Sequence, residues 1–418
     1  MKYEGPIPLW FLVSILVGLL GCNGPAAEVT STNLSQAVTP IIPVGPTASV
    51  DPTASVSPTA SVGPTATPEP TATAVVSLAE RETPTPTATP SPTATPAAET
   101  AVPTPPGQIG PPFAANINPL TGLPTSSTML QQRPLAIKVS NAPAIVRPQA
   151  GLNSADLLFE HYAEGGLTRF TAVYYSQLPE RVGSIRSGRF IDLEIPRMVD
   201  AAFAYSGASG PLRLMFRDSA FFERIISPDF GHGGFVRMPD PNRAFEHTLF
   251  ADPANLRFIL EQRGENRPPQ FQNGMVFHPD PPPNGSPATR IEIDYRGTNA
   301  FWGYSNGRYQ RWTDGDPHFD ANSGEQLSFK NIIAIAAHHQ ESDILESPGS
   351  FSIQIQIWGE GPVSIFRDGQ RYDGRWQRHH PDDMLTFTDM DGNALPLAPG
   401  NSAFQLVPLG FDRLFVDR

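Results

Sequence analysis

One cysteine, Cys22, occurs in 418 residues. A single thiol forms no intramolecular disulfide, so the folded part must be held together by core packing. If Cys22 carries a lipid, no free thiol remains for a Cys-based catalyst or a Cys-ligated metal. Long apolar runs are scarce as well. No segment holds 18 consecutive apolar residues, so no transmembrane helix is expected. Aromatic residues are missing from residues 40–112, a stretch that contains 18 of the 47 prolines. Positive charge is in deficit: 29 Lys and Arg stand against 41 Asp and Glu, for a net charge of −12. That balance argues against nucleic acid as a partner and against electrostatic adhesion to anionic lipid.

What is present begins with a short apolar segment, PLWFLVSILVGLL, behind Lys2 and the amino terminus. At about 1.5 Å per residue, a helix of that length falls short of a hydrocarbon core of roughly 30 Å. It fits the hydrophobic part of a signal peptide instead. Leu19-Leu20-Gly21-Cys22 follows and resembles the bacterial lipobox, in which the Cys is acylated and becomes the new amino terminus. Residues 1–21 therefore read as a lipoprotein signal peptide. Residues 22–112 read as a disordered stalk: PTASV recurs at Pro46, Pro52 and Pro58, and PTAT at Pro64, Pro70, Pro86 and Pro92. So little apolar area cannot offset the entropy of ordering the chain, and the prolines bias it toward an extended spacer. The expected location is extracytoplasmic, with the lipid holding the chain to a membrane.

From Phe113 onward the composition becomes globular. Residues 113–266 read as an α/β or α+β domain, 267–288 as a Pro/Gly/Asn-rich linker, and 289–418 as a mainly-β domain. Residues 134–140, 156–162, 168–175 and 201–206 carry strand patterns, and 190–199 and 253–263 carry helical ones. In the second half, Phe351, Ile353, Ile355 and Ile357 alternate with polar residues. The run 332–337 is apolar throughout, as in a strand covered on both faces. Asp368-Gly369, Asp373-Gly374 and Asp391-Gly392 suit tight hairpin turns. Trp302, Trp312, Trp358 and Trp376 read first as packing residues, with a carbohydrate platform as the alternative.

The densest polar constellation lies between Arg147 and Asp192. On a strand, Asp156 and Glu160 point to one face. A turn at Glu164-Gly165-Gly166 would bring Glu160 or Glu164 near Arg169. Arg186 and Arg189 fall just before a predicted helix, where guanidinium forks and helix-start amides suit phosphate or carboxylate. The competing reading is a structural network in which these Arg and acidic groups satisfy one another. Four residues of strand span about 13 Å, too far for Asp156 and Glu160 to act together as a glycosidase pair at roughly 5–9.5 Å. His338-His339 and His379-His380 are adjacent pairs whose members face opposite ways on a strand, so neither reads as a chelator. No metal and no cofactor are expected.

The run RPLAIKVSNAPAIVRPQAGLNSADLLFEHYAEGGLTRF, with GSIRSGRF after it, resembles the N-terminal domain of the YerB-like lipoproteins. The pattern falls on Asn141, Arg147, Asp156, Glu160, Glu164, Gly165, Gly166, Thr168, Arg169, Gly183, Arg186, Ser187 and Arg189. Ser184 stands where that pattern has Pro, and Glu246-His247-Thr248-Leu249 where it has Pro-His-Asn-Leu. The C-terminal half is similar to that family's second domain through Lys330-Asn331-Ile332-Ile333, Gly359-Glu360-Gly361-Pro362, the Asp368-Gly369 turn, Gly374-Arg375-Trp376 and Gly392. The resemblance implies a two-domain lipoprotein whose domains have no known function, and it singles out the Arg/acid cluster and His247.

The leading expectation is a non-enzymatic envelope protein that binds an anionic ligand, such as a wall polymer or its precursor, through Arg169, Arg186 and Arg189. Arg147, Asp156, Glu160, Glu164 and His247 are the accompanying site candidates. The alternatives are an extracytoplasmic hydrolase using Glu160 or Glu164 with His247, and a scaffold that docks another envelope protein on its β domain.

Overall fold

A computed structural model describes residues 107–411 and 413–417. The expected signal peptide, Cys22 and nearly all of the expected stalk lie outside the described residues. Four α-helices occur in the first half: α1 (Ser127–Leu130), α2 (Ile195–Met198), α3 (Gly210–Arg217) and α4 (Pro253–Gln262). Its strands are β1 (Leu135–Ser140), β2 (Leu157–Tyr162), β3 (Thr168–Tyr174), β4 (Val182–Gly183), β5 (Ala202–Ala204), β6 (Ile225–Ile226), β7 (Phe235–Arg237) and β8 (Leu249–Ala251). The second half is all strand: β9 (Ser286–Pro287), β10 (Arg290–Asp294), β11 (Asn299–Ser305), β12 (Arg308–Thr313), β13 (Asp316–Pro317), β14 (Ser328–Phe329), β15 (Asn331–Ser347), β16 (Ser350–Gln356), β17 (Gly359–Arg367), β18 (Gln370–Arg378), β19 (Thr386–Thr388), β20 (Ser402–Pro408) and β21 (Leu414–Asp417). An α/β first half followed by a mainly-β second half is the expected class.

The sheet does not stop at residues 267–288. One sheet runs β19-β18-β17-β15-β20-β2-β3-β1-β5-β6, with β16 added to β15 and β9 to β18. The two halves meet where β20 pairs in parallel with β2, Leu157 opposite Ser402 through Glu160 opposite Gln405. Phe159 stacks on Phe404 across that join, ring centroids 4.4 Å apart. Such a ring pair adds about 0.5–1.5 kcal/mol to the burial of its area. The division at 267–288 is thus one of sequence, while the core of residues 107–417 is continuous. A second sheet, β13-β12-β11-β10-β21 with β14, and a small third sheet, β4-β8-β7, flank it.

Local sequence explains most elements. The apolar run 332–337 lies in β15 between β17 and β20 and is fully buried. Asp368 and Gly369 both take positive φ, 53° and 74°, and close the β17–β18 hairpin. Gly392 likewise turns with φ 86°. Asp373-Gly374 departs from expectation: it lies inside β18 as extended chain. Glycine is needed there because a Cβ would strike the Thr388 carbonyl. The helix expected over 190–199 is split into a 3-10 turn, Phe190–Leu193, and the single turn α2, with Pro196 starting the new helix. In β16, Ile355 is buried but Phe351 is 40% exposed, because the β15–β16 ribbon extends past the strands that flank β15. Trp302 and Trp376 are core residues, the latter donating Nε1–H to the Ala336 carbonyl at 2.8 Å. The four tryptophans therefore form no common platform.

Candidate functional site

The site candidates distribute over two faces of the β1–β3–β2 ladder. Residues directly opposite in an antiparallel pair point the same way. Lys138 opposite Thr171, and His161 opposite Arg169, share one face. Glu160 opposite Phe170, and Tyr162 opposite Thr168, share the other.

On the second face, Asp156 and Glu160 do lie together as the strand period requires, but they serve separate purposes. Asp156 accepts from the Tyr175 and Ser176 amides at 2.5 and 2.9 Å, from Asn118 at 3.1 Å and from the Ser176 hydroxyl. It fastens the loops at one end of the sheet, and burial pushes its carboxyl up. Glu160 is fully buried. Its Oε1 accepts from Arg311 Nη2 at 3.0 Å, Asn141 at 3.1 Å and Thr168 at 2.9 Å. Arg311 Nη1 adds a charge contact to Oε2 at 2.8 Å. The Arg311 guanidinium sits near the rings of Phe170 and Trp302, 5.2 and 5.0 Å from their centroids. Arg147 crosses to the second half too, pairing with Asp314 at 2.7 Å and donating to the Asn141 carbonyl at 3.0 Å. Neither Glu160 nor Arg147 joins the Arg cluster; of the two acids expected near Arg169, Glu160 is the one that does not approach it, because it lies opposite Phe170 and so on the other face of the ladder.

On the first face, Glu164 is the acid that meets Arg169. Its Oε1 accepts from Arg169 at 2.7 Å and from Arg189 Nη2 at 2.5 Å, and its Oε2 from Arg189 Nε at 2.7 Å. Arg169 also donates to the Ser187 carbonyl at 2.8 Å. Glu346 of β15 stands 3.4 Å from Arg189 and accepts from Ser209 at 3.0 Å. Burial alone would raise the Glu164 carboxyl, but the Arg189 hydrogen bonds and both guanidinium charges hold it at about 2. Burial pushes Arg169 down to about 9. A carboxylate held so low is a poor proton acceptor at neutral pH, and the buried Glu160 is occupied by Arg311. The hydrolase reading thus loses its bases.

Beneath this cluster lies a network that sequence reasoning missed. Lys138 Nζ, fully buried, contacts Asp192 at 2.7 and 2.9 Å, His161 Nε2 at 2.7 Å and Thr171 Oγ1 at 3.1 Å. His161 Nδ1 lies 3.0 Å from the Tyr162 carbonyl, so Nδ1 carries the proton and Nε2 accepts from the lysine. Burial pushes Lys138 down to about 7 and His161 well below its usual value. A lysine in the apolar strand LAIKVS, with Asp192 in the 3-10 turn, was the available signal. Asp192 also accepts from the Arg189 amide at 2.7 Å. The expected helix-start anion site is thereby filled by the turn's own carboxylate, and the helix itself is a four-residue 3-10 turn.

Arg186 and His247 differ from the rest. Among the described residues, the Arg186 side chain has no hydrogen bond or ion-pair partner, and its Nε is buried without one. His247 is 6% exposed, and its Nδ1 is likewise buried and unpartnered. Their elements are adjacent: β4 pairs with β8, and the Ile185 amide donates to the Leu249 carbonyl at 2.7 Å. Burial lowers both groups; the Glu246 charge works against this at Arg186, and the Arg186 charge adds to it at His247. The Ser184 hydroxyl, in the same segment, is also buried without a partner. Among the described residues, no group of three or more His, Cys, Asp or Glu side chains is placed to hold a metal. No described helix is long and apolar enough to cross a membrane.

Comparison with known proteins bears on this arrangement. Residues 120–266 match the N-terminal domain, and residues 291–402 the C-terminal domain, of a "Protein of unknown function (DUF3048)". The chain is 28% identical over 301 residues to "Putative lipoprotein YerB" of Bacillus subtilis (strain 168), covering 69% of this chain and 86% of the relative. The crystal structure of YerB protein from Bacillus subtilis superposes with a TM-score of 0.59 at 26% identity, covering 72% of this chain and 99% of that one. With both paired domains matched in order and one shared architecture, the chain belongs to the YerB-like lipoprotein family.

Proposed function

We propose that this protein is tethered outside the cytoplasmic membrane through a lipid on Cys22 and binds an anionic ligand of the cell envelope, with Arg186 as the contact residue. The supporting observation is that, among the described residues, the Arg186 guanidinium makes no hydrogen bond or ion pair and feels the Glu246 and Glu164 charges only from beyond contact, while Arg169 and Arg189 are clamped by Glu164. A guanidinium fork matches phosphate or carboxylate oxygens, and the neighbouring His247 supplies a second polar group. Arg169 and Arg189 then act as positioning residues that hold the 184–189 segment in place. This narrows the expected three-arginine site to one contact arginine.

Isothermal titration of the full chain with inorganic pyrophosphate, polyphosphate and a phosphate-bearing wall glycan tests the reading. Binding that Arg186→Ala abolishes and Arg186→Lys weakens supports it. Equal binding by wild type and Arg186→Ala would refute it. Loss of palmitate labelling in Cys22→Ser checks the tether.

A further inference from the structure

No disulfide can tie the folded part of this chain, since its single cysteine is Cys22. Another pair of side chains is placed to do so. Lys138 of β1 and Asp192 of the 3-10 turn are both fully buried and stand 54 residues apart in sequence. Lys138 Nζ touches both carboxylate oxygens, Oδ2 at 2.7 Å and Oδ1 at 2.9 Å. A nitrogen in contact with both oxygens lies against the carbon that joins them, at about the 3–3.5 Å of a near-attack pair.

The groups around the pair match what condensation of an amine with a carboxyl requires. Oδ2 accepts from the Arg189 amide at 2.7 Å, a fixed donor for the oxygen that turns negative when nitrogen adds to Cγ. Oδ1 accepts from the Thr171 hydroxyl at 2.7 Å. His161 Nε2 lies 2.7 Å from Nζ and 3.3 Å from Thr171 Oγ1, so a chain of proton-carrying groups runs from the amine to Oδ1. Thr171 is opposite Lys138 in the β1–β3 ladder, His161 comes from β2, and both are fully buried. Burial pushes Lys138 down to about 7, which leaves much of the amine as free base at neutral pH. An ion pair in such a place recovers little of the cost of desolvating its charges. An amide has no charges to desolvate.

We infer that Lys138 and Asp192 condense to an intramolecular isopeptide bond, with His161 and Thr171 relaying the proton. The ammonium first gives one proton to Oδ1. Nζ then adds to Cγ, and the charge that forms on Oδ2 is met by the Arg189 amide. Nζ passes a second proton through His161 Nε2 and Thr171 Oγ1 to Oδ1, the Cγ–Oδ1 bond breaks, and one water leaves. The third proton stays on the amide nitrogen, so atoms and charge balance without a further reactant. The bond fastens β1 to the 3-10 turn and is independent of any ligand at Arg186.

Tandem mass spectrometry of a proteolytic digest of the full chain tests this. The expected product is a branched peptide joining residue 138 to residue 192, lighter by one water than the two linear peptides together. Recovery of Lys138 and Asp192 only in separate linear peptides would overturn the inference. Lys138→Arg keeps a cation beside Asp192 but cannot condense, so its digest should hold linear peptides alone; a branch at residue 192 in that variant would reject Lys138 as the donor. His161→Gln should keep the wild-type circular dichroism spectrum while linkage after synthesis slows by about 10²-fold or more. Linkage at the wild-type rate in His161→Gln would remove the relay.

Discussion

On one face of the β1–β3–β2 ladder, Glu160 meets Arg311 with neither side chain exposed; on the other, Glu164 meets Arg169 and Arg189 at a rim where the carboxylate keeps one fifth of its exposure. Both are acid–guanidinium contacts made by residues four apart on the same hairpin. They differ in water and in stoichiometry. The first is one acid with one base, dry, and joins the two halves of the chain. The second has Arg169 and Arg189 on Glu164, with Glu346 also 3.4 Å from Arg189, beside a third guanidinium, Arg186, that makes no ion pair among the described residues. A dry pair can only be structural, because no ligand reaches it. At the rim, the Arg186 guanidinium is left with N–H donors that no described side chain takes up.

The comparison is broken most severely by Arg311→Met. It strands Glu160 as a buried charge and should cost about 3–5 kcal/mol, read as a fall in the urea midpoint. Glu160→Gln/Arg311→Met should recover most of that, since both charges leave together. A single variant within about 1 kcal/mol of wild type would show that the pair is not dry. Next in size is the acid limb of stability. The Glu164 carboxyl is held at about 2 against an ordinary 4.5. Its stabilisation is complete above pH 4.5 and is lost as pH falls from there toward 2. After allowance for screening at the rim, the loss is about 2 kcal/mol. Glu164→Gln should flatten this limb while the rest of the acid profile persists.

Smaller again is Arg186→Ala. A guanidinium without a partner contributes little to folding, so stability should move by less than about 1 kcal/mol in either direction while pyrophosphate binding disappears. A large loss of stability would place Arg186 with the clamped arginines. The smallest effect belongs to Arg197–Asp382, a 2.5 Å contact that also links the two halves but is half exposed on the acid side. A double-mutant cycle should give a coupling of about 0.2–1 kcal/mol, vanishing near 1 M salt. A coupling close to that of Glu160–Arg311 would remove burial as the reason for the difference.

Much of the strand content was legible because β1, β2 and β3 are short, apolar and bounded by turn residues. The meeting of Glu164 and Arg169 was legible because a tight Gly-Gly turn returns the chain after only five residues, whereas Arg189 joins them from 25 residues away. The pairing of Glu160 with Arg311 was not, since their separation of 151 residues leaves no local trace. Asp373-Gly374 misled because a glycine required by a close backbone approach looks the same in sequence as one required by a turn. The Lys138–Asp192–His161 network was half visible: a lysine amid apolar neighbours signals a buried partner, but only the three-dimensional ladder says which acid provides it.

The position of β20 has a consequence for how the chain comes to be folded. Gln405 is the neighbour of Glu160, laid down 245 residues earlier. Until β20 arrives, β2 and β15 each present an unpaired edge, and the hydrophobic centre between them is open. Contacts so distant in the chain form late and slowly. The two family domains, although separable as sequence, therefore reach their final form together, after β20 has been delivered. A fragment ending near residue 266 would carry a bare β2 edge into solution, and such an edge invites self-association.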